Sequence, residues 1–115
     1  MIPAPGEPAR GTRSGRPIMV LLDLLGRRMA LRILWELKEA GRPLTFRSLA
    51  AAAETNPSVL NARLKELRAA GLVAHGAEGY RLDADGLALV ALVLPLHQWA
   101  EDWAARRPAV DGEPA

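Results

Sequence analysis

A mainly α-helical domain carrying one small β-hairpin is what this 115-residue sequence predicts. Three observations carry that prediction. Apolar residues recur at i, i+3, i+4, i+7 in successive stretches, the signature of helices with one buried face. Two short extended runs, Leu72–His75 and Tyr80–Leu82, flank the turn Gly76-Ala77-Glu78-Gly79, the signature of a hairpin. The punctuation between stretches is helical in kind: prolines at starts, small polar residues before them, glycines at ends.

Each element can be justified in turn. Pro17 suits the first position of a helix, and Ile18, Leu21, Leu22 and Leu25 then form one stripe. Gly26 loosens that helix. The spacing resumes at Ala30, Ile33, Leu34 and Leu37, with Leu31 and Trp35 on the flank, until Gly41 and Pro43 stop it. Thr45 can cap a third helix by accepting from the amides of Arg47 or Ser48, and Phe46, Leu49, Ala50 and Ala53 form its apolar face. Thr55-Asn56-Pro57 breaks the chain. Asn56 caps a fourth helix, Leu60, Leu64 and Leu67 line its inner side, and Gly71 ends it. After the hairpin, Asp83 caps a long last helix. Leu87, Val90, Ala91 and Leu94 share one face of it; Leu92, Leu96, Trp99 and Trp103 form a second seam. Pro95 falls inside this pattern, where a kink is expected. The folded domain therefore spans residues 17–107. Residues 1–16, rich in proline and glycine with a charge of +2, and the acidic residues 108–115 are expected to be disordered.

Composition excludes several kinds of chemistry. The sequence has no cysteine, so disulfides, thiolate metal sites and cysteine nucleophiles are out. The longest apolar run, Leu87–Leu96, is ten residues, too short to span a bilayer. With neither a signal segment nor disulfides, a cytoplasmic protein is expected. The serines, Ser14, Ser48 and Ser58, sit in no nucleophile-elbow context, and no glycine-rich phosphate loop exists. The sequence therefore points away from an enzyme and calls for no cofactor. His97 and Glu101, four apart on one helix, are two potential ligands without a third. Net charge is only +2, but residues 42–68 hold five bases against two acids.

Two short helices joined by a tight break and followed at once by a hairpin make a winged helix-turn-helix. In that motif the first helix braces against the DNA backbone and the second enters the major groove, whose width admits a helix. A helical wheel sets what the second helix would present. With Leu60 as origin and about 100° per residue, the leucines centre near 10°. Ser58, Lys65 and Ala62 lie opposite, with Asn61 beside them. Asn61 can pair bidentately with adenine, Ser58 and Lys65 can reach base edges or phosphate, and the small Ala62 lets the helix seat deeply. Arg47 on the bracing helix and Arg81 on the hairpin are phosphate candidates. Arg63 faces nearer the core than the groove. The same polar residues would also suit an ordinary solvated face.

The ordered set of motifs resembles HxlR-type regulators, relatives of the MarR type. Asp23-Leu24-Leu25-Gly26-Arg27-Arg28, Ile33-Leu34-Trp35-Glu36-Leu37 and Thr45-Phe46-Arg47-Ser48-Leu49 look like that family's opening. Asn56 to Leu67 with Ala70-Gly71-Leu72-Val73 is similar to its recognition helix and first wing strand, and Tyr80-Arg81-Leu82, Gly86 and Trp99 to its wing exit and last helix. The resemblance implies a bacterial transcription regulator that binds double-stranded DNA as a homodimer through its first and last helices. Leu92, Leu96, Trp99 and Trp103 would supply part of that contact; as an apolar stripe they would equally suit the core of a single protomer. Met29 stands where the family usually carries tryptophan, and Glu78 puts a negative charge on a short wing. Cysteine sensing, used by several members, has no residue here.

Two further features bear on partners. Gly15-Arg16-Pro17, with Arg13 before it, resembles the core of an AT-hook, so a basic arm in the minor groove is one reading and a solvated tail the other. Met19, Met29, Trp35 and Trp99 could line a small-molecule effector pocket between the helices, or simply be core. The alternative to a DNA-binding regulator is a winged-helix module that docks a protein partner instead.

Overall fold

A computed structural model of the chain describes residues 15–107. The disorder expected for residues 1–14 and 108–115, and with it most of the basic arm, lies outside the described residues. Five helices and one hairpin follow in the anticipated order: α1 (Pro17–Leu25), α2 (Ala30–Ala40), α3 (Phe46–Ala53), α4 (Pro57–Ala69), β1 (Val73–Gly76), β2 (Gly79–Leu82) and α5 (Ala84–Arg106). The fold is mainly α with a two-stranded antiparallel hairpin, as a winged helix-turn-helix requires.

The helix starts are set by local chemistry. Pro17 and Pro57 occupy first-turn positions, where a missing N–H costs nothing. Thr45 Oγ1 accepts from the Ser48 amide at 3.1 Å, and Asn56 Oδ1 accepts from the Val59 amide at 2.9 Å. Asp83 Oδ1 accepts from the Ala84 amide at 3.0 Å. Each cap satisfies a donor that the first helical turn leaves orphaned. Asn56→Ala should therefore cost about 1 kcal/mol and lower the melting temperature by roughly 4–8 °C, whereas Asn56→Ser should melt near the parent. A thermal melt of both variants checks this; equal melting of Ala and parent would remove the cap from the account.

The core is built from Ile33, Leu34 and Leu37 of α2, Leu49 and Ala53 of α3, and Leu60, Leu64 and Leu67 of α4, joined by Leu24, Leu44, Leu72, Val73, Leu82 and Val90. The leucines that the periodicity assigned to the inner side of α4 are all buried. In the hairpin, Val73 pairs with Leu82 and His75 with Tyr80. One residue from outside extends it. Leu44 exchanges backbone hydrogen bonds with Tyr80, at 2.9 and 2.8 Å, and so ties the wing to the segment between α2 and α3.

The first helical stripe is not merely loosened at Gly26: it ends at Leu25, and α2 starts after Met29, whose backbone is left-handed at φ 70°. Pro95 lies inside α5, as the sequence placed it, and the helix runs on to Arg106. Proline removes only one N–H, and the flanking turns keep their own hydrogen bonds.

Candidate nucleic-acid interface

The turn between α3 and α4 is three residues long, Glu54-Thr55-Asn56. Glu54 is left-handed, at φ 53°, which lets its amide and that of Thr55 return to the last carbonyls of α3. Arg32 of α2 holds this turn from below. Its guanidinium donates to the Ala52 carbonyl at 2.9 Å and to Glu54 Oε1 at 3.2 Å, while its Nε donates to Glu36 at 2.9 Å. A cation against the last carbonyls also complements the helix dipole. Sequence reasoning assigned Arg32 nothing, although its i,i+4 spacing from Glu36 was a readable signal.

Helix α4 stands on its three buried leucines and turns one side outward. Ser58, Asn61 and Lys65 are exposed, as the wheel expects. Ala62, expected to be fully outward, is half-buried. Arg68 is exposed too, on the same flank as Asn61 and about 80° from Leu60, and continues the basic side of the helix. The sequence reading counted Arg68 only as charge; its wheel position could have found it. Arg47 is exposed in the first turn of α3.

The wing presents a mixed surface. Arg81 is exposed, and its guanidinium lies across the strand beside Gly76. His75 stacks flat on Tyr80, with ring centroids 4.0 Å apart, and Phe46 tilts against the same tyrosine at 6.5 Å. Glu78 is exposed in the turn itself.

The opposite flank of α4 is ion-paired. Arg27, between α1 and α2, donates from Nη1 to Glu66 Oε2 at 2.8 Å and from Nη2 to Asp23 Oδ2 at 3.1 Å. Arg63 Nε lies 3.2 Å from Glu66 Oε1, so Arg63 faces inward rather than toward a groove. The hydrogen bond to Asp23 first, then the charge of Glu66, holds the Arg27 guanidinium protonated against the pull of burial.

Leu92, Leu96, Trp99 and Trp103 are 73%, 62%, 56% and 47% exposed, so the seam is not core of the protomer. Trp99 and Trp103 stack on each other at 5.9 Å. Ile18 and Leu22 of α1 are exposed as well. Of the residues considered for an effector pocket, Met19, Met29 and Trp35 are half-buried, and Trp35 lies against His97 at 5.8 Å. Among the described residues, no group of three or more acidic or histidine side chains could hold a metal ion, and no helix is long and apolar enough to cross a membrane.

A brace, a three-residue turn, a second helix with one exposed polar side and a hairpin define a winged helix-turn-helix. Residues 27–74 match the family model described as winged helix-turn-helix DNA-binding, a span that runs from within the α1–α2 junction into β1. Over that span the chain is similar to winged helix-turn-helix DNA-binding domains. No curated protein matches the chain significantly.

Proposed function

We propose that the protein is a homodimeric, sequence-specific transcriptional regulator that binds a pseudo-palindromic operator. The observation that carries this reading is α4: three leucines fix one side in the core, and Ser58, Asn61 and Lys65 stand free on the other. Asn61 reads a base edge, Ser58 and Lys65 read or position, and Ala62 keeps the contact close. Arg47, with Arg68, anchors to phosphate. Arg81 joins them from the wing. The exposed seam of α5, with Ile18 and Leu22 of α1, meets a second copy. Two recognition helices then enter successive major grooves about 34 Å apart.

Selection from a random duplex library at near-physiological salt tests this. A two-fold symmetric motif with half-sites one helical turn apart is the expected result. Retention without a motif would leave backbone binding only. No retention by folded protein would favour a protein-docking module, the reading to which Glu78 in the wing turn lends support by repelling phosphate. On the selected site, Asn61→Ala should cost roughly 1–3 kcal/mol and relax preference at one base pair. Arg47→Ala should weaken all sequences alike and flatten the salt dependence. Titrations against the selected and a scrambled duplex at several salt concentrations separate the two; a uniform loss for Asn61→Ala would remove its reading role.

A further inference from the structure

We propose that Arg27 is a positioning residue for the recognition helix, tying the α1–α2 junction to the flank of α4 so that the two turn as one body. The proposal rests on the reading of α4 as the helix that contacts DNA. Its ground is the ion cluster Asp23–Arg27–Glu66–Arg63. Arg27 reaches Glu66 across 39 residues of sequence, at 2.8 Å, and Asp23 on α1 at 3.1 Å. The Asp23 side chain is only 3% exposed, and Glu66 and Arg63 are 16% and 19% exposed. Part-buried charges of opposite sign do not separate readily, because losing the Arg27–Glu66 contact would leave both groups shielded from water and less well paired.

The placement of Glu66 explains why such a tie matters. The leucine seam of α4 resists sliding, but a single apolar stripe resists rolling about the helix axis poorly. Glu66 lies about 240° round from Leu60, on the flank away from Asn61 and Lys65. A bond there acts as a stay against roll. Side-chain tips stand about 6 Å from the axis, so a roll of about 20° would displace Asn61 by roughly 2 Å, enough to break a base contact that needs near-linear hydrogen bonds. Through Asp23 the stay continues into α1, which bears the exposed Ile18 and Leu22. The face proposed to meet the second copy and the face proposed to meet DNA are thereby held in one orientation.

The test uses the full chain and the variant Arg27→Lys. Lysine keeps a positive charge beside Asp23 but lacks the planar fork that spans two carboxylates. Arg27→Lys is expected to fold, to keep the parent's mass in sedimentation, and to bind the selected duplex about tenfold more weakly. Binding to scrambled duplex and the salt slope should be unchanged, which a general loss of structure would not produce. The double variant Arg27→Lys/Glu66→Gln should be no worse than the single. Hydrogen exchange without DNA gives a second readout: acceleration confined to α4 and the end of α1 is expected. Parent-like affinity in Arg27→Lys, or exchange that is unchanged or faster throughout the domain, would overturn the proposal. If the parent itself retains no duplex, the DNA reading fails, and the exchange pattern alone decides the role of Arg27.

Discussion

Gly86→Ala is expected to be strongly destabilising for the addition of a single methyl group. Gly86 lies in the first turn of α5 and is buried against the backbone of Leu72. A Cβ there would collide with the Leu72 carbonyl oxygen. That oxygen cannot step aside freely, because it accepts the Asp83 amide at 2.9 Å and so joins the foot of the wing to the start of α5. Accommodating the methyl means moving α5 off the hairpin. Overpacking of this kind costs about 3 kcal/mol or more, against a total stability of roughly 5–15 kcal/mol for an ordinary domain. The melting temperature should fall by about 12 °C or more. Gly41→Ala is the matched comparison. Its backbone is left-handed at φ 64°, but nothing lies within 4 Å of the added carbon, so only the conformational penalty of about 1 kcal/mol applies. Thermal melts of the two variants side by side check the argument. If they melt alike, crowding at Gly86 is not what sets the junction.

Leu96→Glu should have the largest effect on DNA binding with the least effect on the fold. Leu96 is 62% exposed in the protomer, at the centre of the seam formed by Leu92, Trp99 and Trp103. A carboxylate there costs the isolated chain almost nothing, but in a two-fold interface the two copies would bring like charges into an apolar contact. Sedimentation should show the parent as a dimer and the variant as a monomer with a similar melt. Loss of the second half-site contact should reduce operator affinity by about 10²-fold or more. Ala91→Glu, exposed on the same helix but about 110° away from the seam, should leave the mass unchanged. A monomeric parent, or a variant still dimeric, would mean that the seam serves something other than self-association.

Most of the fold was legible because its signals are local. Pro17, Thr45, Asn56, Pro57 and Asp83 announce helix starts through their own dihedral limits or side-chain oxygens, within three residues of where they act. The inner side of α4 followed from the spacing of Leu60, Leu64 and Leu67 alone. What the sequence hid depends on residues far apart. The tie between Arg27 and Glu66, 39 residues apart, joins the α1–α2 junction to α4 and leaves no trace in the local pattern. The part played by Leu44 in the hairpin was equally invisible, since one residue pairing with a remote strand leaves no periodicity. Met29 breaks the first helical stretch from α2 through a left-handed backbone that methionine seldom adopts, and no composition rule anticipates it. For the candidate interface, the wheel placed Ser58, Asn61 and Lys65 on the open side and Arg63 toward the core, but it could not weigh how far neighbouring elements shade Ala62. The seam of α5 was ambiguous for the same reason: an apolar stripe reads identically whether its cover comes from its own chain or another.

No buried residue of α5 lies beyond Val90, although the helix continues to Arg106. At about 1.5 Å per residue it is some 34 Å long, and its outer part contributes little to the domain's interior. Changes in that outer part are therefore nearly neutral for folding. If copies pair through that arm as proposed, a lineage duplicating this gene could redraw which copies pair with which by exchanging a few side chains there, leaving α4 untouched. Selection for insulation between sister regulators would then be written into one helical arm, while selection for target choice acted on another.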